Sequence, residues 1–168
     1  MRNRFGKIIS KLADENDKIV ILVGDIGYRV FDDFRDKYPE RFINMGICEQ
    51  SMIGAASGMA LEGLQPWVYT ITPFLIERPF EQIKLDIDHQ NVNVNLVGYS
   101  DYPTLGPTHT ELNAKKTMEL FNNIESFYPS DADETEKMIL QAYENKGPTF
   151  TSLKSDPNPI KSEILVKK

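Results

Sequence analysis

The sequence predicts an α/β fold of three layers, in which helices cover both faces of a mostly parallel sheet of about six strands. Two observations support this prediction. The run 18–23, KIVILV, is apolar after its first residue, which is typical of a strand covered on both faces in a parallel sheet. Short apolar runs also alternate with segments of helical periodicity along the chain, as in repeated strand–helix units.

The first half of the chain contains three strands and three helices by this interpretation. Phe5, Ile8, Ile9 and Leu12 recur at helical spacing, and Pro39 separates the second helix from the second strand. In order, we predict a helix over 2–15, a strand over 18–23, a helix over 30–37, a strand over 42–45, a helix over 48–62 and a strand over 66–71.

The second half continues the same alternation. We predict a helix over 73–89, with Phe74, Phe80, Ile83, Leu85 and Ile87 on its buried sides and a break or kink at Pro79. The other elements are a strand over 91–97, a loop over 99–110, a helix over 111–121, a strand over 124–128, a helix from the acidic run 131–134 to Gly147, and a strand over 149–153. We expect one domain over 1–155 and a tail over 156–168.

Composition excludes several classes of function. The chain has 168 residues and a formal net charge of −6, which disfavours nucleic acid as a partner. It contains no apolar run of the ~20 residues that a membrane span needs, and its N-terminus is too polar for a signal peptide. The single cysteine, Cys48, fits a reducing compartment and is expected to be a buried core thiol. We therefore expect a cytoplasmic protein.

The helix predicted over 48–62 has unusual features. Glu49 falls on the same side as Ile53, Ala56 and Ala60, which is the apolar side. Gly54 and Gly58 each cost roughly 1 kcal/mol relative to alanine, so we expect close backbone packing to offset them. From the residues alone, Glu49 is either a functional buried acid or an acid that complements the helix dipole.

The segment 41–63, RFINMGICEQSMIGAASGMALEG, carries a family resemblance. It is followed in order by PWVYTITPF, ERPFEQIKLDI, NVNVNLVG, GPTH, YPSDADE and GPTFTSLK. This series resembles the pyrimidine-binding (Pyr) domain of the transketolase family of thiamine diphosphate enzymes, from about residue 24 to 154. The resemblance implies the thiamine diphosphate-binding fold. It also implies that Glu49 hydrogen-bonds N1′ of the cofactor's aminopyrimidine ring and favours its reactive imino tautomer.

The same resemblance assigns further roles around the cofactor. Phe74 would stack near the aminopyrimidine, and Ile71 stands where a second aromatic is usual. Asp25 and Ile26 match a G-D-L loop whose last residue packs near the thiazolium ring. His109, in a G-x-T-H motif, would contact the substrate near its reacting carbonyl. An ordinary strand-end turn, a core phenylalanine and a solvated loop histidine are the competing interpretations.

Substrate recognition departs from the family pattern at several positions. Leu105 stands where many members have an acid that reads a substrate hydroxyl, and Arg29 stands where they have a phosphate-reading serine. Arg2 or Arg4 matches an upstream phosphate-binding arginine. Asp101 or Tyr102 is a substitute for a further family histidine. From these departures we expect poor use of the usual pentose and hexose phosphates and a preference for a substrate whose anionic group meets Arg29. Neutral drift in an ordinary transketolase is the alternative.

The function implied by the resemblance is that of a pyrimidine-binding subunit of a split transketolase, which transfers a two-carbon ketol unit from a ketose to an aldehyde. The diphosphate and Mg²⁺ motif is absent, so thiamine diphosphate would be shared with a diphosphate-binding partner that holds the Mg²⁺, and we assign no metal site to this chain. The expected assembly is a hetero-tetramer or one built on a Pyr–Pyr homodimer. The alternatives are a 2-oxo acid decarboxylase, a deoxyxylulose phosphate synthase-like enzyme, and a degenerate scaffold without catalysis, against which Glu49 argues.

Overall fold

The computed structural model describes residues 1–100 and 105–155. Within these ranges six strands form one sheet in the order β2-β1-β3-β4-β6-β5, and every neighbouring pair is parallel. The strands are β1 (Ile19–Val23), β2 (Phe42–Asn44), β3 (Gln65–Ile71), β4 (Asn95–Tyr99), β5 (Glu125–Phe127) and β6 (Thr149–Leu153). The predicted parallel sheet is confirmed.

Helices cover both faces of this sheet, as the three-layer prediction requires. One face carries α1 (Arg2–Glu15), α2 (Asp32–Lys37) and α7 (Ala132–Glu144). The other carries α3 (Glu49–Leu61), α4 (Thr72–Ile76), α5 (Phe80–Gln82) and α6 (Ala114–Met118). Two separate hydrophobic clusters therefore hold the layers together, one on each side of the sheet.

The central strands are buried on both faces, because helices lie above and below them. All residues of β1, β3, β4 and β6 are buried, which explains why β1 reads as an unbroken apolar run. On the α1 side the core is aromatic: Phe5 stacks on Tyr69 with ring centroids 6.0 Å apart, and Phe31 meets Tyr69 edge-on at 5.0 Å.

The segment predicted as a helix over 73–89 is divided at Pro79, and the predicted break there is confirmed. The chain forms α4, turns at 77–79, and resumes as α5, which continues into a π-helical turn, Ile83–Asp88. Pro79 lies at the break, where it ends the run of helical hydrogen bonds. In this turn Ile83 and Ile87 are buried on one side, whereas Leu85, two residues from each, lies on the opposite side and is 47% exposed rather than buried as predicted.

Two other boundaries differ from the prediction. The fourth strand begins at Asn95 rather than 91, because residues before it form a turn after the π-helical segment. The buried Asn95 side chain accepts a hydrogen bond from Thr149 Oγ1 at 2.7 Å, so a polar residue inside the strand was misread as part of an alternating pattern. The helix predicted over 111–121 is only α6. The predicted tail 156–168 lies outside the described residues.

A close backbone contact places α4 on the sheet. A Cβ at Gly98 in β4 would lie 2.5 Å from Thr72 Oγ1 and 3.2 Å from Thr72 Cα, so only glycine lets the first residue of α4 approach β4 this closely. Because Phe74 lies two residues further along α4, this contact also fixes the position of Phe74 relative to the sheet.

The small-residue helix α3 is present, but its glycines are not packed as predicted. A Cβ at Gly54 or Gly58 would meet no atom within 4 Å, apart from neighbouring residues of α3 itself. Within the described chain this face of α3 is open, so the cost of the two glycines is not offset by internal packing. No helix of the described residues is long and apolar enough to cross a membrane.

Candidate functional site

The candidate site lies at the carboxyl ends of the strands. In open parallel α/β sheets this edge is where ligands bind, since the loops that follow the strands meet there. The loop after β1 carries Asp25, the loop after β2 leads to Glu49, and Ile71 ends β3 immediately before α4. The predicted site residues therefore occupy neighbouring loops although they are distant in the sequence.

Glu49 is the first residue of α3, and its exposed fraction is only 5%. A carboxylate at this depth needs a partner, because the desolvation of an isolated charge is costly. The partner is Arg78, whose Nη1 donates to Glu49 Oε1 at 2.7 Å. The predicted placement of Glu49 on the buried side of the helix is confirmed.

Arg78 also contacts the predicted aromatic of the site. Its guanidinium carbon lies 3.6 Å from the centroid of the Phe74 ring, within the range of a cation–π contact. Arg78 belongs to the turn between α4 and α5, and its backbone oxygen accepts a hydrogen bond from Gln50 Nε2 at 3.4 Å. The first turn of α3 therefore contacts Arg78 twice, with Glu49 bound to its guanidinium and Gln50 bound to its backbone oxygen.

His109 completes this group. Its ring meets the Phe74 ring edge-on, with centroids 4.8 Å apart. It ends a 3-10 turn, Pro107–His109, which begins after Gly106 in a left-handed conformation with φ of 92°, one that glycine adopts without strain. The structure therefore brings Glu49, Phe74 and His109 together, with Arg78 between Glu49 and Phe74.

Asp25 and Ile26 lie on the loop after β1. Asp25 has φ of 55°, and its backbone N–H donates to Asn44 Oδ1 at 3.1 Å. The same oxygen accepts from Gly46 N at 3.0 Å, so Asn44 joins this loop to the segment that leads into α3. Ile26 is partly buried against the aromatic core on the α1 side.

The two predicted phosphate-binding arginines lie on the α1 side of the sheet. Arg29 is exposed and lines a depression beside Lys7 and Asp33. The Arg2 guanidinium lies 5.0 Å from the Tyr99 ring centroid, at the carboxyl end of β4. Arg4, the alternative to Arg2, pairs with Glu136 and Asp133 on α7. Asp101 and Tyr102 lie outside the described residues.

Near the His109 turn, Glu111 is half-buried, and its Oε2 is buried without a hydrogen-bond partner among the described residues. Burial raises the pKa of the Glu111 carboxyl above its ordinary value of 4.5. Lys154 lowers that pKa, and Glu77 raises it further. A carboxyl group that keeps its proton to a higher pH is able to donate a hydrogen bond.

Sequence reasoning missed Arg78 and Asn44. Arg78 lies four residues after Phe74 and is the second residue of the quoted segment ERPFEQIKLDI. The proline that follows Arg78 was the available signal for a turn, and such a turn could direct the Arg78 side chain toward α3. Asn44 follows two apolar residues at the carboxyl end of a strand, a position where polar side chains commonly serve a site. Cys48, expected to be buried, is exposed, because it precedes α3 on the open side of the loop.

The described residues contain no group of three or more His, Cys, Asp or Glu side chains that could hold a metal ion. The acids of the site are instead paired or separate: Glu49 pairs with Arg78, Asp25 with Asn44, and Glu77 accepts from Leu112 N at 2.9 Å. The candidate site is therefore best described as an acid, a basic side chain and an aromatic–histidine pair.

The fold and the site define a parallel α/β domain that carries a buried acid and an aromatic ring at the ligand-binding edge of its sheet. The family described as "Transketolase, pyrimidine binding domain" matches residues 1–155. The chain belongs to this family. The resemblance inferred from the sequence is thus confirmed, as is the fold it implied.

Several known proteins are similar to this chain. One of the subunits of an apulose-4-phosphate transketolase, from Actinobacillus succinogenes, is 33% identical over 150 residues, covering 88% of this chain and 48% of the relative. A 1-deoxy-D-xylulose-5-phosphate synthase of a Marinomonas species is 34% identical over 155 residues, covering 87% of this chain and 24% of the relative. This chain therefore spans about half the length, or less, of these curated relatives.

A solved structure described as "Split gene transketolase, inactive beta4 tetramer" superimposes with a TM-score of 0.83. It is 31% identical in sequence and covers 95% of this chain and 52% of that chain. The likeness extends over nearly all of this chain, so its overall fold is that of a transketolase-type domain.

Proposed function

We propose that this chain is the pyrimidine-binding part of a thiamine diphosphate-dependent, transketolase-type transferase that moves a two-carbon ketol unit from a ketose to an aldehyde. The observation that carries the proposal is Glu49, an acid with an exposed fraction of 5% at the start of α3, beside the face of Phe74. An acid buried at the ligand-binding edge of the sheet is a candidate for work on a cofactor.

The residues present fit an aminopyrimidine. Between Glu49 and Phe74 lies a planar, nitrogen-bearing group, the Arg78 guanidinium, which stacks on the ring and hydrogen-bonds the acid. The same two side chains can therefore hold a flat heterocycle by a stack on one side and a hydrogen bond at one edge. When bound, thiamine diphosphate supplies a carbon nucleophile that cleaves a ketose C–C bond and carries the ketol unit.

Each residue of this chain has a definite task in the proposal. Glu49 holds a proton at N1′ of the aminopyrimidine and so selects its tautomer, Phe74 stacks on the ring, and Ile71 provides an apolar wall at the end of β3. Asp25 and Ile26 line the thiazolium side. The imidazole of His109, next to Phe74, donates to the substrate oxygen near the reacting carbonyl.

Arg29 and Arg2 are the proposed contacts for an anionic group of the substrate. An exposed guanidinium binds phosphate through paired N–H donors without a change of protonation state. Leu105 is 56% exposed beside the His109 turn, and it offers no hydrogen bond to a substrate hydroxyl. The proposed substrate is therefore a sugar that the site recognises more by its anionic group than by its hydroxyls.

A partner that binds the diphosphate and Mg²⁺ belongs to the proposal, as does a hetero-tetramer or a Pyr–Pyr homodimer core. Support comes from the Actinobacillus relative, which is one subunit of a transketolase, and from the solved β4 tetramer that is described as inactive. The proposal also places the assembled enzyme in the cytoplasm and in carbohydrate metabolism.

One other function is supported by a specific finding. The 34% identity to a 1-deoxy-D-xylulose-5-phosphate synthase makes an enzyme of that type, with a 2-oxo acid donor, the second candidate. The two differ in the donor they consume, because a 2-oxo acid donor releases CO₂ and a ketose does not.

The test is a reconstitution of the chain with a diphosphate-binding transketolase subunit, thiamine diphosphate and Mg²⁺. Ketose donors and pyruvate are supplied separately with a panel of aldehydes. Ketol transfer without CO₂ release supports the transketolase assignment, and CO₂ release from pyruvate supports the second candidate. If the complex assembles and binds the cofactor but shows no turnover, the result would instead favour a scaffold without catalysis.

A further inference from the structure

Arg78 makes the two contacts that the proposed function assigns to the cofactor's aminopyrimidine. Its Nη1 donates to Glu49 Oε1 at 2.7 Å, and its guanidinium carbon lies 3.6 Å from the Phe74 ring centroid. That second distance is the separation of stacked planar groups. An aminopyrimidine that stacks on this face of Phe74 and bonds Glu49 would need the position that the guanidinium takes.

The guanidinium and the aminopyrimidine also require different hydrogen-bonding roles of Glu49. A guanidinium has donors and no acceptor, so Glu49 accepts from Arg78 as a carboxylate. N1′ of an aminopyrimidine is an acceptor, so Glu49 must carry a proton and donate it to that nitrogen. The charged ion pair and the hydrogen bond to N1′ therefore require different protonation states of the Glu49 carboxyl group.

We propose that Arg78 is a positioning residue, which takes the place of the aminopyrimidine between Glu49 and Phe74 in the uncomplexed chain and leaves it when the cofactor binds. The inference rests on the proposed function for the roles of Glu49 and Phe74. Arg78 lies in the quoted segment ERPFEQIKLDI, but the sequence analysis assigned no role to it.

The surroundings of Arg78 suit such an exchange. Its side chain is 37% exposed, whereas that of Glu49 is 5% exposed, so the guanidinium has a direct path to solvent. It lies in the turn between α4 and α5, and its backbone is held by Gln50. The side chain can therefore swing out by rotation about its own bonds, with no movement of α3 or α4.

The ion pair also explains how the uncomplexed chain tolerates Glu49. A buried carboxylate that lacks a partner is strongly destabilising, and Arg78 supplies that partner until the cofactor does. Arg78 thus keeps the Glu49 carboxyl group and the Phe74 ring in place. It also competes with the ligand for these two groups, which weakens ligand binding.

The experiment measures binding of 4-amino-5-hydroxymethyl-2-methylpyrimidine, the uncharged pyrimidine half of the cofactor, to the full chain by calorimetry or ligand-observed NMR. We expect Arg78→Ala to bind this compound at least about tenfold more tightly than the unaltered chain, because the competitor is gone. Lys37→Ala, which breaks an exposed ion pair with Asp14 instead, is the control and should leave binding unchanged. Binding that is no tighter in Arg78→Ala, including undetectable binding in both proteins, overturns the proposal.

A second measurement reports on Arg78 directly. Side-chain NMR of the uncomplexed chain should show restricted rotation of the Arg78 guanidinium, assigned by its loss in Arg78→Lys, and saturation with the pyrimidine compound should restore fast rotation. A freely rotating Arg78 in the uncomplexed chain, or one still restricted at saturation, contradicts the exchange. Circular dichroism of each variant verifies that it is folded.

Two further variants separate this inference from the proposed function. In the Arg78→Ala background, Glu49→Ala or Phe74→Ala should abolish the gain in binding. If the compound binds equally well without Glu49 and Phe74, the proposed cofactor site itself is wrong. If Glu49→Ala weakens binding to the unaltered chain but Arg78→Ala does not strengthen it, only the role of Arg78 is wrong.

Discussion

Two hydrogen bonds join Asn44 and Asp25 across the carboxyl ends of β1 and β2. Asn44 Oδ1 accepts from the backbone N–H of Asp25 at 3.1 Å, and Asn44 Nδ2 donates to Asp25 Oδ1 at 3.2 Å. Since the same Oδ1 also accepts from Gly46 N, one side chain joins the loop after β1 to the segment that precedes Glu49. The relative position of the two loops depends on this asparagine.

Asn44→Ala should loosen both loops while the sheet stays intact. We expect a loss of stability of about 1 kcal/mol and faster hydrogen exchange at the amides of Asp25 and Gly46, with β6 unaffected. Asp25→Asn keeps a side-chain oxygen that can accept from Asn44 Nδ2 and leaves Asn44 Oδ1 intact, so it should preserve the protection of both amides. Unchanged exchange in Asn44→Ala would show that the two loops are held by something else.

Glu49→Gln should preserve the fold and nearly abolish turnover in the assembled enzyme. The amide has the shape of the acid and still accepts from Arg78, but it cannot exchange a proton with N1′. We expect the rate of C2–H/D exchange of bound thiamine diphosphate to fall by about 10²–10⁴-fold. Glu62→Gln, at the exposed far end of α3, is the control and should leave exchange unchanged. Equal rates in Glu49→Gln and the unaltered enzyme would refute the proposed proton role.

The uncomplexed chain should bind thiamine diphosphate weakly and show no turnover. The reason is that the charged diphosphate and Mg²⁺ contacts are proposed to lie on the partner. Calorimetry of the chain alone, with and without Mg²⁺, checks this, and addition of the diphosphate-binding subunit should create tight binding. Tight, Mg²⁺-dependent binding by this chain alone is the contradicting result.

Glu111→Gln should stabilise the protein at neutral pH and leave its stability unchanged in acid. Burial raises the pKa of Glu111 in the folded chain above 4.5, so the folded state keeps its proton to a higher pH than the unfolded state. The contribution of Glu111 is therefore fully present below pH 4.5 and is lost as the pH rises through the raised pKa. Glutamine stays neutral throughout.

The size of this effect should not exceed about 1 kcal/mol, because solvent screens a half-exposed group. Denaturant unfolding at pH 4 to 8 measures it, and Glu119→Gln, an exposed acid at the end of α6, is the control. A difference between Glu111→Gln and the unaltered chain that is the same at every pH would contradict the assigned cause.

Gly58→Ala and Gly98→Ala should have opposite effects on the uncomplexed chain. A Cβ at Gly58 meets no atom within 4 Å outside its neighbours in α3, so alanine should stabilise the helix by about 0.5–1 kcal/mol. A Cβ at Gly98 would lie 2.5 Å from Thr72 Oγ1, so alanine there should destabilise the protein and displace α4. Thermal unfolding of both variants provides the comparison, and a destabilised Gly58→Ala would mean that α3 is covered.

Much of the fold could be predicted from the sequence because its elements depend on local patterns. The unbroken apolar run of β1 and the periodicity of α1 are decided by neighbours in sequence. The break at Pro79 in the segment 73–89 was predicted from the proline. The π-helical turn was not, because its buried positions, Ile83 and Ile87, also fit an α-helix. The start of β4 was misplaced because Asn95 is buried through a partner, Thr149, that only the folded sheet brings close.

The candidate site was predictable in part for a similar reason. Glu49 could be placed on the buried side of α3 from helical spacing, and Phe74 and His109 came from the family resemblance. Arg78 could not be found in this way, since its contacts with Glu49 and Phe74 depend on the turn that breaks the predicted helix. The roles assigned to the site residues stay predictions, for Glu49, Phe74, Ile71 and His109 as well as for Arg29, Arg2, Asp25 and Ile26.

Cys48 immediately precedes Glu49 and is the only cysteine in the sequence, and its side chain is exposed. A thiol-reactive fluorophore or spin label would therefore attach at one defined position, without the removal of any other thiol. Such a label lies one residue from the carboxylate on which the proposed chemistry depends, so its signal should change when a ligand or a second subunit reaches α3. The native protein thus comes with its own attachment point for following assembly in real time.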